Sequence, residues 1–169
     1  WVVTLVVVVG LSRGCLVAGA VAAVLTKSGW FGPSTDLTLH RPYAAVLCYP
    51  VVTAGEYAHR GSFVQLAVAD EHRQQAFSLE TLVDADMPPV FLWHTLEDGS
   101  VPVENTLLLE AALRRAGVSH ELHLFPHGVH GLALADFEPH DPSRGPQPAQ
   151  HVARRVERFD TSHTPASRW

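Results

Sequence analysis

The feature that most constrains this chain is a change of character within its first thirty residues. A valine-dominated run over residues 2–9 ends at Gly10-Leu11-Ser12-Arg13-Gly14, and an alanine- and leucine-rich run over residues 15–26 follows. Valine is stiff at χ1 and favours a strand buried on both faces, whereas alanine and leucine suit a helix. The pattern predicts strand, tight turn and helix, with Ser12 at the tip of the turn. The competing reading is a single membrane span over residues 2–25, polar only at Thr4, Ser12 and Arg13. An arginine near the middle of such a span costs about 2.5–3.5 kcal/mol on insertion scales, and no basic flank precedes the run. Two short elements are therefore the better reading, and a membrane is not expected as a partner.

Composition limits the rest. At 169 residues, 47% hydrophobic and 17% charged, the chain has the balance of an ordinary globular domain with a core of its own. The net charge of −5 comes with no basic cluster of the kind that tracks phosphates. Arg154, Arg155 and Arg158 alternate with apolar residues as one helix face would, so nucleic acid is not an expected partner. Cys15 and Cys48 are too few for a disulfide framework and sit among apolar neighbours. A cytoplasmic location is favoured, with no recognisable signal peptide.

Further along, apolar runs and helical patterns alternate. Strands are predicted over 43–48, 90–94 and 121–125, and a short helix over 78–83. Residues 53–62 read as loop and 63–69 as ambiguous. Over 102–116 the leucines at 107, 108, 109 and 113, an early glutamate and late arginines predict a helix stopped by Gly117. Residues 136–148 hold four prolines and no periodicity, which reads as a loop. Val152, Val156 and Phe159 lie at helical spacing and predict a last helix over 150–159, before a loose tail at 161–169. The expected class is α/β: one domain over 1–160 with a mostly parallel sheet and helices on both faces.

Three polar residues stand at the ends of predicted strands. Ser12 lies between strand and helix in a G-x-S-x-G pentapeptide, whose glycines allow a strained turn that exposes the hydroxyl. The backbone N–H of Arg13, at the helix start, could form half of an oxyanion hole. Asp98 follows the strand at 90–94 and His130 the strand at 121–125, where open α/β sheets gather functional groups. A histidine so placed can take the serine proton, with a carboxylate holding its tautomer. Glu97 is the competing acid and His127 the competing base, the latter expected on the loop rim. His123, His127 and His130 do not share one helical face, so no metal is expected. The absence of a glycine-rich phosphate loop leaves no cofactor expected either.

These residues sit in phrases that resemble a known family. Arg41 to Pro50 (RPYAAVLCYP), residues 88–103 with Trp93-His94-Thr95, and residues 125–134 resemble the acetyl-xylan-esterase or BD-FAE-like group of α/β-hydrolases. The resemblance implies Ser12 as nucleophile, Asp98 as acid and His130 as base. It also implies a small ester or acetylated carbohydrate as substrate. The prolyl-oligopeptidase type shares the same triad order, which leaves a peptidase reading open.

Two departures from the group follow. Relatives read G-F-S-A-G-G-H-L-A around the nucleophile, whereas this chain places Arg13, Cys15 and Leu16 there. Arg13 either crowds the acyl pocket or points outward. The chain also begins nine residues before Gly10 and is expected to be the C-terminal portion of an α/β-hydrolase, truncated before the nucleophile strand. The early strands and the loop with the second oxyanion donor would then be missing. The alternatives are a non-catalytic remnant needing a partner chain and a membrane-anchored protein. An exposed edge on the valine strand would favour self-association.

Overall fold

In the computed structural model, which describes residues 6–24, 42–67, 70–134 and 152–163, three strands follow the apolar runs and a fourth the alternating segment. They are β1 (Val7–Leu11), β2 (Ala44–Cys48), β3 (Val90–Thr95) and β4 (His120–Phe125). All pair in parallel in the order β1-β2-β3-β4. Parallel neighbours need crossover connections, and helices fill them. α1 (Gly14–Val24) follows β1, and α2 (Arg60–Ala67), α3 (Glu71–Ala76) and α4 (Leu79–Leu82) lie between β2 and β3. α5 (Glu104–Ala116) joins β3 to β4, and α6 (Val152–His163) comes last.

Side chains alternate across a strand, and here the alternation sorts them into two apolar layers. Ala45, Leu47, Val90 and Leu92 face α1, α4 and α5 in a core with Cys15, Ala22, Leu79, Leu109 and Leu113. Ala44, Val46, Phe91 and Trp93 face the other way, against Val152 and Phe159 of α6. By the same period His94 belongs with the α5 layer and Thr95 with the α6 layer. Every residue of β2 and β3 is buried. Cys15 and Cys48 are buried free thiols, and burial pushes the Cys48 thiol up to about 12.

The structure corrects several boundaries. The first strand runs to Leu11, directly against Ser12, while residues 2–5 of the predicted strand lie outside the described residues. β1 is an edge strand of the described sheet and is not buried on both faces: Val9 is 53% and Leu11 41% exposed. Having β2 as its one described neighbour, it lacks the double cover that β2 and β3 receive. The turn and α1 exclude one continuous span over residues 2–25, and no helix among the described residues is long and apolar enough to cross a membrane. The loop predicted over 53–62 gives way to α2 at Arg60. α3 was not expected, because Glu71 to Ala76 carries no apolar period; Asp70 caps it by accepting from the His72 and Arg73 N–H groups. α6 runs on through residues 161–163, which had been read as tail. The proline-rich loop at 136–148 and residues 164–169 lie outside the described residues.

Candidate active site

Ser12 sits where β1 turns sharply into α1, with a left-handed backbone (φ 51°) that a residue bearing a Cβ adopts at a cost of roughly 1–2 kcal/mol. Three backbone hydrogen bonds hold it there. Its N–H donates to Cys48 O (3.1 Å), and its carbonyl accepts from Val51 (3.2 Å) and Cys15 (3.1 Å). The strain is thus fixed by the end of β2 and the start of α1. The two glycines of the pentapeptide are not equivalent, contrary to the sequence expectation. A Cβ on Gly10 would lie 2.6 Å from Cys15 Cα and 3.0 Å from Ala18 Cβ, whereas one on Gly14 would meet nothing within 4 Å. Close packing of α1 on β1 requires Gly10 alone.

The other two residues reach Ser12 from neighbouring strand ends. Asp98 follows β3 and His130 follows β4, both at the carboxyl end of the sheet. Ser12 Oγ lies 2.8 Å from His130 Nε2, and His130 Nδ1 lies 2.6 Å from Asp98 Oδ2. Because the carboxylate can only accept, Nδ1 carries the proton and Nε2 is left to accept from the serine hydroxyl.

The His130 loop is tied down on the α6 side of the sheet. The Thr95 hydroxyl donates to Gly128 O at 2.9 Å, and the Ala133 N–H donates to the Tyr49 hydroxyl at 2.8 Å. The Tyr49 ring also packs edge-on against His130, centroids 4.9 Å apart.

Asp98 is enclosed on every side, its side chain only 1% exposed. Oδ1 accepts from the Ser100 and Val101 N–H groups, each at 2.9 Å. Oδ2 accepts from His130 and, at 3.2 Å, from His94 Nε2. Burial alone would raise its pKa, but the hydrogen bonds from His94, Val101, His130 and Ser100 outweigh it. They hold the carboxyl well below its usual range.

The remaining candidates separate cleanly. Arg13 is exposed and its guanidinium donates to Gln65 on α2, so the side chain points outward rather than into an acyl pocket. Its backbone N–H, next in the chain to Ser12, donates to no backbone carbonyl among the described residues. Glu97 and His127 pair with each other at 2.8 Å on the rim. His123 instead faces Glu121 at 2.7 Å and stacks on Phe91. His123, His127 and His130 thus meet three different carboxylates.

Sequence reasoning assigned no role to three residues around this centre: His94, Tyr49 and Asn105. Asn105, fully buried, accepts from the Val52 and Thr53 N–H groups and donates to the Tyr57 and Pro102 carbonyls. It fixes the loop after β2 against which Ser12 leans. For His94 the available signal was a histidine closing the apolar run Val90–Trp93, four residues before Asp98. A buried polar group of that kind needs a partner.

The family model described as the prolyl oligopeptidase family matches residues 4–142. The chain is 37% identical over 134 residues to endo-1,4-beta-xylanase B of Butyrivibrio fibrisolvens, which is 78% of this chain and 21% of that protein. Among solved structures it is similar to an acetyl ester-xyloside bifunctional hydrolase from Caldicellulosiruptor lactoaceticus. The identity is 37% and the TM-score 0.73, over 91% of this chain and 55% of that one. A carboxylesterase of Lactobacillus plantarum WCFS1 gives 26% identity and a TM-score of 0.69, over 92% and 58%. The chain thus spans a little over half the length of these solved relatives and about a fifth of the xylanase.

Proposed function

The chain belongs to the prolyl oligopeptidase family of α/β-hydrolases, and from that premise we propose that it carries the serine hydrolase centre of a carboxylic esterase. In this reading Ser12 is the nucleophile, His130 the base and Asp98 the acid. The observation that carries it is the unbroken hydrogen-bond line from Ser12 Oγ through His130 to Asp98, at 2.8 and 2.6 Å.

The chemistry follows from those contacts. As Ser12 Oγ bonds to the ester carbonyl carbon, its proton passes to His130 Nε2 and the carbonyl electron pair moves onto oxygen. The Arg13 N–H donates to that oxyanion; loss of one such donor typically costs about 10²–10³ in turnover. Collapse breaks the bond to the alcohol, which leaves with the proton from His130. Water then gives a proton to His130 and attacks the acyl carbon, and Ser12 departs by reclaiming that proton. The net change is ester and water to acid and alcohol. Asp98 stays ionised throughout, which its four hydrogen bonds favour.

A short acyl group on a sugar is the proposed substrate, supported by the acetyl ester-xyloside hydrolase and xylanase among the relatives. Turnover of a chromogenic acetyl ester by the wild type and by Ser12→Ala tests the reaction. Loss of all serine-dependent turnover in the variant is expected; equal rates would end the hydrolase reading. A prolyl anilide in parallel distinguishes an esterase from a peptidase with the same groups.

A further inference from the structure

His94 is an unusual occupant of its position. β3 is otherwise apolar until Thr95, yet His94 is completely buried. Strand alternation turns it toward α5, and there the fully buried Thr106 lies 2.6 Å from its Nδ1. On the far side of the ring, Nε2 lies 3.1 Å from the Val101 carbonyl and 3.2 Å from Asp98 Oδ2. A carbonyl oxygen can only accept, so Nε2 carries the proton and shares it between Val101 O and Asp98 Oδ2. In that tautomer Nδ1 accepts from the Thr106 hydroxyl. The Nε2 side, where both oxygens only accept, sets the tautomer, and the Thr106 hydroxyl, able to donate or accept, adapts to it.

Resting on the hydrolase reading above, we propose that His94 is a positioning residue for the acid, with Thr106 as its anchor. Asp98 Oδ2 receives two imidazole N–H groups, one from His130 at 2.6 Å and one from His94 at 3.2 Å. The backbone donors Ser100 and Val101 fix Oδ1. His94 fixes Oδ2, the oxygen that orients the base. Without it, Oδ2 is held only by the group it is meant to orient, and rotation about the Asp98 side chain is opposed from one end. The consequence reaches Ser12 through His130, and a misplacement of about 1 Å at a reacting group costs on the order of a hundredfold. His94 touches neither substrate nor Ser12, so its effect belongs in kcat and not in KM.

Four variants test this in the full chain with a chromogenic acetyl ester, each rate normalised by titration of the reactive serine. His94→Leu and His94→Asn, which lack a donor at the Nε2 position, are expected to lose roughly ten- to a hundredfold in kcat with KM within twofold. His94→Gln, whose amide nitrogen reaches that position, is expected to recover kcat to within a few fold of wild type. Thr106→Val leaves the imidazole in place without its anchor and is expected to lose several fold, and it guards against misfolding of the His94 variants. Wild-type kcat per titrated serine in Thr106→Val and in whichever His94 variants fold overturns the proposal, as does an equal loss in His94→Gln and His94→Leu. If Ser12→Ala is inactive while His94→Leu is normal, this inference alone fails. If Ser12→Ala is fully active, the hydrolase reading fails first.

Discussion

Glu97 and His127, the acid and base that rival Asp98 and His130 in the sequence, are hydrogen-bonded to each other at 2.8 Å. The neighbours Glu97-Asp98 therefore divide their work: one pairs on the rim with a histidine 36% exposed, the other inside with a histidine 22% exposed. Proximity in sequence could not separate them, but burial does.

This division gives a direct expectation. His130→Ala should reduce ester turnover by roughly 10⁴–10⁶, and Asp98→Asn by about 10⁴, as for groups that act as a unit. His127→Ala and Glu97→Gln should remain within a few fold of wild type. Steady-state rates for the four variants check this, and a large loss in His127→Ala with little in His130→Ala would reverse the assignment.

Tyr49 connects the end of β2 to the His130 loop through a single hydroxyl. Tyr49→Phe keeps the ring packed edge-on against His130 but removes the acceptor for Ala133 N–H. A loss of about 0.5–1.5 kcal/mol in urea unfolding is expected, with a several-fold fall in kcat. Unchanged stability and rate would mean that the ring alone holds the loop.

The Asp98 carboxyl lies well below its ordinary 3.8 in the folded chain because hydrogen bonds to the ionised form outweigh burial. The sign follows: its stabilisation is fully present above the unfolded value and is lost as pH falls through the lower folded value. The difference in urea midpoint between wild type and Asp98→Asn should be constant from about pH 5 to 7 and shrink below about pH 4. A difference that grows on acidification would contradict the direction.

Gly10 and Gly14 should respond in opposite ways to alanine. Gly10→Ala forces a methyl against the backbone of Cys15 and is expected to destabilise by about 1–3 kcal/mol, with loss of activity. Gly14→Ala, facing open space at the first residue of α1, should be neutral or stabilising by up to about 1 kcal/mol. Thermal unfolding of the pair decides it.

Where an apolar run ends abruptly in a polar residue, the sequence announced the outcome. Ser12 stands just past the valine run and Asp98 past the apolar run at 90–94, while His130 follows the alternating strand at 121–125, and the three side chains converge. α3 was illegible because Glu71 to Ala76 has no apolar face to betray its period and is held by the Asp70 cap. His94 was hidden for the opposite reason, since a strand buried on both faces reads as one apolar block and a polar residue at its end looks incidental. The direction of the Arg13 side chain depended on Gln65, fifty-two residues away, and no local pattern encodes that.

The alternation along β3 has a last consequence. His94 reaches Asp98 from the layer packed on α5, while His130 is braced through Thr95 and Tyr49 from the layer packed on α6. Both supports terminate on one oxygen, Asp98 Oδ2. A packing defect on either side of the sheet is thereby reported at the same atom, so that under the proposed hydrolase reading ester turnover becomes a gauge of whether the two halves of the core are formed together.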